Sequence, residues 1–362
     1  MPGFAAGYPF ALLPFWGNNC LVDFAVGNFT SSRDTSVTIV LDEANRGLAL
    51  ALASRYRRPL IPVPVLEAGL AELAARVAAE ESEFIVLASL SSVCVFDPRA
   101  LLDLLPSGGD IVKLAIQKTP VEMYVARRDA LARLFAAHAV RARRGGRVRD
   151  YLFNDILFSA IDLIEDLPGE LLFQNDLMEF YRRNIWAIAN CEGESFNRIL
   201  SRLPPLAEPS KESRVSEKGS LKDSILASGV EVEGSVEGSI LFPGVLVRRG
   251  AFVSNSVVLN GNRIGAGSAV HNALLLPYVT DAPRTGPNIG DNCLVGAKSS
   301  AAKNSDFPSQ IRDGIALVGM NVDLPNGFKA EAATYIGPGV SPAALRKLKV
   351  LRRGASLYGG QE

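Results

Sequence analysis

Between Val215 and Leu276 the apolar positions recur in short groups with a long, fixed period. A shift of 15 residues lays Val215, Leu221 and Ile225-Leu226 on Val230, Val236 and Ile240-Leu241, and carries Gly219 onto Gly234 and Gly229 onto Gly244. The next steps are two residues longer: Val236, Val253 and Val270 stand 17 apart, as do Ile240-Leu241, Val257-Val258 and Leu274-Leu275. One apolar group every five or six residues is too sparse for an amphipathic helix, whose stripe returns every three or four. Hairpins of an antiparallel sandwich would not keep residue-level register over three or more units. The pattern predicts a left-handed parallel β-helix of hexapeptide type over 215–340, with Gly, Asn and Ser at the corners. Val247, Val253, Val258, Ile264, Val270 and Leu275 should form its inward columns. A coil cannot bury its apolar side alone, so the remaining chain must supply a cap and something packed alongside.

After Leu276 the period breaks, with Thr280 to Pro287 as an insertion, and resumes with Ile289 and Val295 six apart. Gly314 to Gly327 continues the style. Pro342 to Val350 reads as a short basic closing helix, within a cap or tail over 341–362.

Ahead of the coils the period changes. Val37 to Leu41, Pro59 to Val65, Phe84 to Leu90 and Ile111 to Ile116 read as strands. Asn45 to Tyr56, Glu67 to Glu80, Asp97 to Leu105 and Asp129 to Arg144 read as helices, the last stopped at Gly145-Gly146. Such alternation predicts an α/β domain over 1–200 with a parallel, doubly wound, Rossmann-like sheet. Asp176 to Leu203 should give one or two helices with Tyr181, Trp186 and Ile188 on the buried side. A linker, 201–214, follows around Pro204-Pro205.

With 38 basic and 38 acidic residues in 362, the balance points to neither nucleic acid nor an anionic membrane. No apolar run reaches the roughly 20 residues of a membrane span. The uncharged first 22 residues lack the basic start of a signal peptide. Cys20, Cys94, Cys191 and Cys293 are scattered without metal or redox spacing, so reduced thiols and a cytoplasmic location are expected.

Several runs resemble the sugar-nucleotide pyrophosphorylases, and within them bacterial glucose-1-phosphate adenylyltransferase, above all its non-catalytic regulatory-type subunits. Pro14-Phe15-Trp16-Gly17, then Leu21-Val22-Asp23-Phe24 and Asn28, looks like the family's P-F-G, L-I-D-F and S-N. Phe84 to Asp97 resembles the strand and turn around a metal-binding aspartate. Met123-Tyr124-Val125, Val148 to Leu152 and Asn175 to Asn184 are similar to later family runs. Asp223-Ser224-Ile225-Leu226 and Gly238-Ser239-Ile240-Leu241-Phe242 resemble its coils. The resemblance implies a nucleotidyltransferase-like domain followed by a β-helix, and a pocket drawn from Pro14, Phe15, Gly17, Asp23, Asn28, Ser91, Asp97, Lys118 and Asp176.

That pocket is expected to be vestigial. Nucleotidyl transfer needs backbone amides around the triphosphate, cations against developing charge, and carboxylates on Mg²⁺. The family's Gly-rich loop has no counterpart in the thirteen residues before Pro14, and Phe10 stands where an early lysine is expected. Six residues before Asp97, at the expected metal-binding aspartate, stands Ser91. A neutral hydroxyl does not replace a carboxylate as a principal Mg²⁺ ligand. Lys118 is a weak counterpart of the sugar-phosphate lysine and reads more simply as a surface residue. Asp176 is offset from the second metal position and reads equally as a helix N-terminal residue.

The expectation is therefore a degenerate transferase without catalytic residues, metal or cofactor, with Mg²⁺ entering only if activity survives. It would act as a regulatory or structural partner in ADP-glucose and glycogen synthesis, as a homo-oligomer or joined to a catalytic paralogue. A sugar-phosphate effector could meet Arg141, Arg143, Arg144 and Arg147. The alternatives are an active sugar-phosphate nucleotidyltransferase and a hexapeptide-repeat acyltransferase. Of the two histidines, His138 and His271, only His271 lies on a coil, and a surface histidine without a role is its simpler reading.

Overall fold

A computed structural model describes residues 10–30, 55, 70–89, 92–104, 109–139, 152–161, 163–174, 176–204, 206, 211–279 and 286–360. The expected elements Val37 to Leu41 and Pro59 to Val65, and nearly all of Asn45 to Tyr56, lie outside them, as do Ser91 and the arginines 141, 143, 144 and 147.

The C-terminal half is the left-handed parallel β-helix. Three parallel ladders run along it. On the first face Val215, Val232, Val247 and Ile264 stack, and single bridges carry the column on through Ile289 to Leu324. The second face stacks Leu221, Val236, Val253, Val270, Val295, Ala330 and Leu351. The third stacks Leu226, Leu241, Val258, Leu275, Val318, Ile336 and Leu357. The six inward residues expected from the sequence are all fully buried. Each removes an aliphatic side chain from water, a gain of about 1.5–3 kcal/mol.

Two expectations shift in register. Val215 pairs with Val232, 17 residues on, and not with Val230; the 15-residue step belongs to Leu221 and Val236. Both valines are buried, Val230 beside a corner and Val232 in the column, so apolarity alone does not separate them. The helix Pro342–Leu348 forms with Ser341 as its cap, but the chain then pairs Val350–Leu351 and Ser356–Leu357 onto the stack, so the winding continues past it. The stretch 297–315, between the strands Leu294–Gly296 and Ala316–Val318, is a second excursion from the coil. Asn304 holds it. This side chain is 1% exposed, donates to the carbonyls of Ala333 and Ala355, and accepts from Asp306 N, Phe307 N and Ser356 Oγ.

The N-terminal region is α/β. Helices α1 (Leu21–Thr30) and α2 (Leu70–Ala79) precede strands β1 (Phe84–Ala88) and β2 (Ser92–Phe96). Then come α3 (Ala100–Leu104), β3 (Ile111–Ile116), β4 (Thr119–Arg127) and α4 (Arg128–Ala139). Strands β5 (Leu163–Leu167) and β6 (Gly169–Gln174) lead into α5 (Leu177–Asn190) and α6 (Glu194–Leu200). One sheet runs β1-β4-β3-β5 and a second pairs β2 with β6. Among these strands only β3 and β5 pair in parallel; β1/β4, β3/β4 and β2/β6 are antiparallel, against the expected all-parallel sheet. The cause is local. Only Gln117 and Lys118 join β3 to β4, both with positive φ (53° and 61°), and a two-residue turn can connect only antiparallel neighbours.

Helix α5 fastens this region to the coils. On the third face Ile240, Val257, Leu274, Leu317 and Tyr335 point away from the axis yet are buried, in one cluster with Leu177, Met178, Phe180 and Tyr181. Trp186 and Ile188 pack half-buried against it. The Tyr181 hydroxyl donates to the Asn255 carbonyl on a coil corner, and burial raises its pKa. This is the lateral packing that an isolated coil requires.

Candidate functional site

Of the residues expected in a nucleotide pocket, those described each have another occupation. Pro14-Phe15-Trp16-Gly17 forms a tight turn closed by a bridge between Pro14 and Cys20, with Trp16 and Gly17 at φ 55° and 85°. Phe15 is fully buried. Its ring lies 5.0 Å from Trp16, 5.3 Å from Phe24 and 5.6 Å from Phe180. Trp16 donates through Nε1 to the Arg183 carbonyl (2.9 Å), and its N–H donates to Asn184 Oδ1 (3.2 Å). The turn is a plug against α5, and Asn184, buried in full, holds it there.

Asp23 is also fully buried. At the start of α1 its carboxylate accepts from the Cys20 N–H (2.6 Å) and forms an ion pair with Arg55, whose Nε lies 2.8 Å from Oδ1. Asn28, one helical turn and a residue later, spans β2: Nδ2 donates to the Cys94 carbonyl (2.9 Å) and Oδ1 accepts from Phe96 N–H (3.1 Å). Burial pushes the Cys20 and Cys94 thiols up to about 12, so neither offers a thiolate near neutral pH.

The two remaining carboxylates do not meet. Asp97 follows the end of β2 and accepts from Arg99 N–H (3.0 Å). Asp176 caps α5, accepting from Met178 N–H (2.7 Å) and Glu179 N–H (3.3 Å). In the β2/β6 ladder Phe96 faces Gly169 and Ser92 faces Gln174. The aspartates therefore sit beyond opposite ends of it, separated by at least about 13 Å at the usual strand rise. Mg²⁺ binds oxygens at about 2.1 Å, so this pair does not fit one ion. Among the described residues no cluster of three or more His, Cys, Asp or Glu could hold a metal. Lys118 is an exposed turn residue; its N–H donates to Asp166 Oδ1 (2.9 Å), and its ammonium meets no partner among the described residues. Ser92, beside Ser91, is buried, and its Oγ meets no partner among the described residues.

His271 departs from its expected surface setting: it is 6% exposed, its Nδ1 shares a 2.7 Å hydrogen bond with Ser254 Oγ, and its ring lies 5.5 Å from Phe252. Burial, and then the charge of Lys298, lower its pKa. The unfolded chain thus binds this proton more readily. Stability should be full above the ordinary histidine value of about 6.5 and decline as pH falls below it. Denaturant unfolding between pH 7.5 and 5 should show this slope in the wild type and a weaker one in His271→Gln.

With this geometry in place, comparison with known proteins adds the following. A GlmU-like, C-terminal hexapeptide family model matches residues 208–299. The curated relatives agree on one enzyme. The chain is similar to glucose-1-phosphate adenylyltransferases. That of Acetivibrio thermocellus is 28% identical over 152 residues, 41% of this chain and 32% of the relative. The Fervidobacterium nodosum enzyme is 28% identical over 123 residues, covering 34% and 28%, and that of Bacillus thuringiensis (strain Al Hakam) 36% over 61, covering 17% and 16%. The matches span about a third or less of the length of these relatives. They support the coil assignment and the adenylyltransferase line. Asn184, Arg55 and Asn304 were missed by the sequence reading as structural anchors; of these only Asn184 had a signal, as the last residue of a family-like run.

Proposed function

We propose that this chain is a non-catalytic homologue of glucose-1-phosphate adenylyltransferase, a regulatory or structural partner in ADP-glucose and glycogen synthesis. Its partner would be a second copy or a catalytic paralogue, in the cytoplasm. The observation that carries this reading is the separation of Asp97 and Asp176 at opposite ends of the β2/β6 ladder, Asp97 accepting from the Arg99 N–H in the turn after β2 and Asp176 capping α5. Asp23, which unlike those two is fully buried, already pairs with Arg55. These placements support a domain kept for shape. An acyltransferase reading gains nothing from His271, which is buried against a serine and a phenylalanine.

The test is a mixing experiment. The host's catalytic paralogue is assayed for ADP-glucose synthesis with and without this chain, across a titration of sugar-phosphate effectors. A shifted rate or effector response supports partnership. An unchanged paralogue that also fails to co-elute with the chain would overturn it.

A further inference from the structure

Of the six corners that the stacked columns define between the first and second faces of the β-helix, five have five residues. These run 216–220, 248–252, 265–269, 290–294 and 325–329 between the stacked inward residues, but the corner of the second coil runs only 233–235. Corners are the outermost points of such a helix, so the short one leaves a recess between its neighbours. That recess has a volume of about 390 Å³ and is lined by Lys218, Glu233, Ser235, Arg249 and Phe252 over a glycine floor. It falls in the range of small-molecule sites, about 300–1,000 Å³.

No described residue fills the recess. A Cβ on Gly234 would stand 2.4 Å from the Ala251 carbonyl and 2.7 Å from that of Arg248, so the floor rests directly on the third coil. The buried Gly234 N–H has no acceptor among the described residues. Nor do the side chains of Lys218, Glu233 and Arg249 have a polar partner among them, although neighbouring charges on the same coils are paired: Lys211 with Glu231 and Lys222 with Glu237. Two unpaired cations stand on opposite rims, one from the coil before the short corner and one from the coil after.

We infer that this recess is a binding site for a small monophosphate carrying free hydroxyls. The phosphate would lie between Lys218 and Arg249, an ammonium and a guanidinium suited to its oxygens, with the Gly234 N–H as a further donor. Glu233 can only accept hydrogen bonds when ionised, so it favours a ligand whose body offers hydroxyl donors and disfavours a bare anion. The site is confined to the coils and stands whether or not the α/β region retains activity.

Calorimetric titration of the full chain at low salt tests it, with ribose 5-phosphate, inorganic phosphate and ribose as the three probes. Ribose 5-phosphate should bind saturably and more tightly than phosphate, with ribose alone showing none. Lys218→Ala and Arg249→Ala should each weaken it about tenfold, as loss of a charge-assisted hydrogen bond does. Glu233→Gln should narrow the preference over phosphate. Both rim cations are exposed, so thermal unfolding without ligand should not move. Absence of saturable binding, or wild-type affinity in both alanine variants, overturns the site. Equal affinity for phosphate and ribose 5-phosphate overturns the role given to Glu233.

Discussion

Phe15→Ala should lower the unfolding free energy by about 4 kcal/mol, as truncation of a fully buried phenylalanine does elsewhere. The ring meets Trp16, Phe24, Phe173 and Phe180, which come from the entry turn, α1, β6 and α5. No single neighbour can move into the vacated volume without leaving the others. The effect should reach the coils, because Phe15 belongs to the same apolar cluster as Ile240, Val257 and Leu274. Denaturant unfolding followed by tryptophan fluorescence checks this directly, since Trp16 lies in that cluster and Trp186 packs against it. A loss below about 1 kcal/mol would mean the turn is loosely packed.

Arg55→Ala should cost a comparable amount, about 3–5 kcal/mol, for a different reason. Asp23 has no exposed surface, and removal of the guanidinium takes the Arg55 charge and its hydrogen bonds away from a buried carboxylate. Most of the loss is thus the penalty on the aspartate, not the worth of the pair. The double variant Asp23→Asn/Arg55→Ala should therefore be more stable than Arg55→Ala alone, and chemical denaturation of the three proteins measures the difference. If the single and double variants unfold alike, the carboxylate is not carrying a buried charge. A catalytic carboxylate would also be poorly served here, since its charge is already neutralised within the fold.

The coils were legible because each inward column repeats one residue type at one step, and that signal survives even a two-residue change in corner length. Where it failed, at Val215, two valines two residues apart were both buried, and period alone did not choose between them. The helix caps were partly legible: Asp176 reads as a helix start from its sequence and caps α5. The antiparallel sheet was not, because strand direction here follows from a two-residue turn built of Gln117 and Lys118, which lacks the usual glycine or asparagine. The pairing of Asp23 with Arg55 crosses 32 residues, and the Asn304 hub binds residues up to 52 away. No local pattern announces either. Of the candidate site, residue identity was readable and occupation was not: Asp97, Asp176 and Lys118 were found, but only the fold places them at a strand end, a helix cap and an exposed turn.

The central claim is that the carboxylates of the α/β region serve the fold and do not hold a catalytic metal. Exchange of labelled pyrophosphate into ATP, with glucose 1-phosphate and Mg²⁺ present, tests it on the purified full chain without any partner. The expected result is no exchange above a protein-free control and no dependence on Mg²⁺. Mg²⁺-dependent exchange that disappears in Asp97→Asn or Asp176→Asn would contradict it, and would mean that the two ends of the β2/β6 ladder act on one substrate after all.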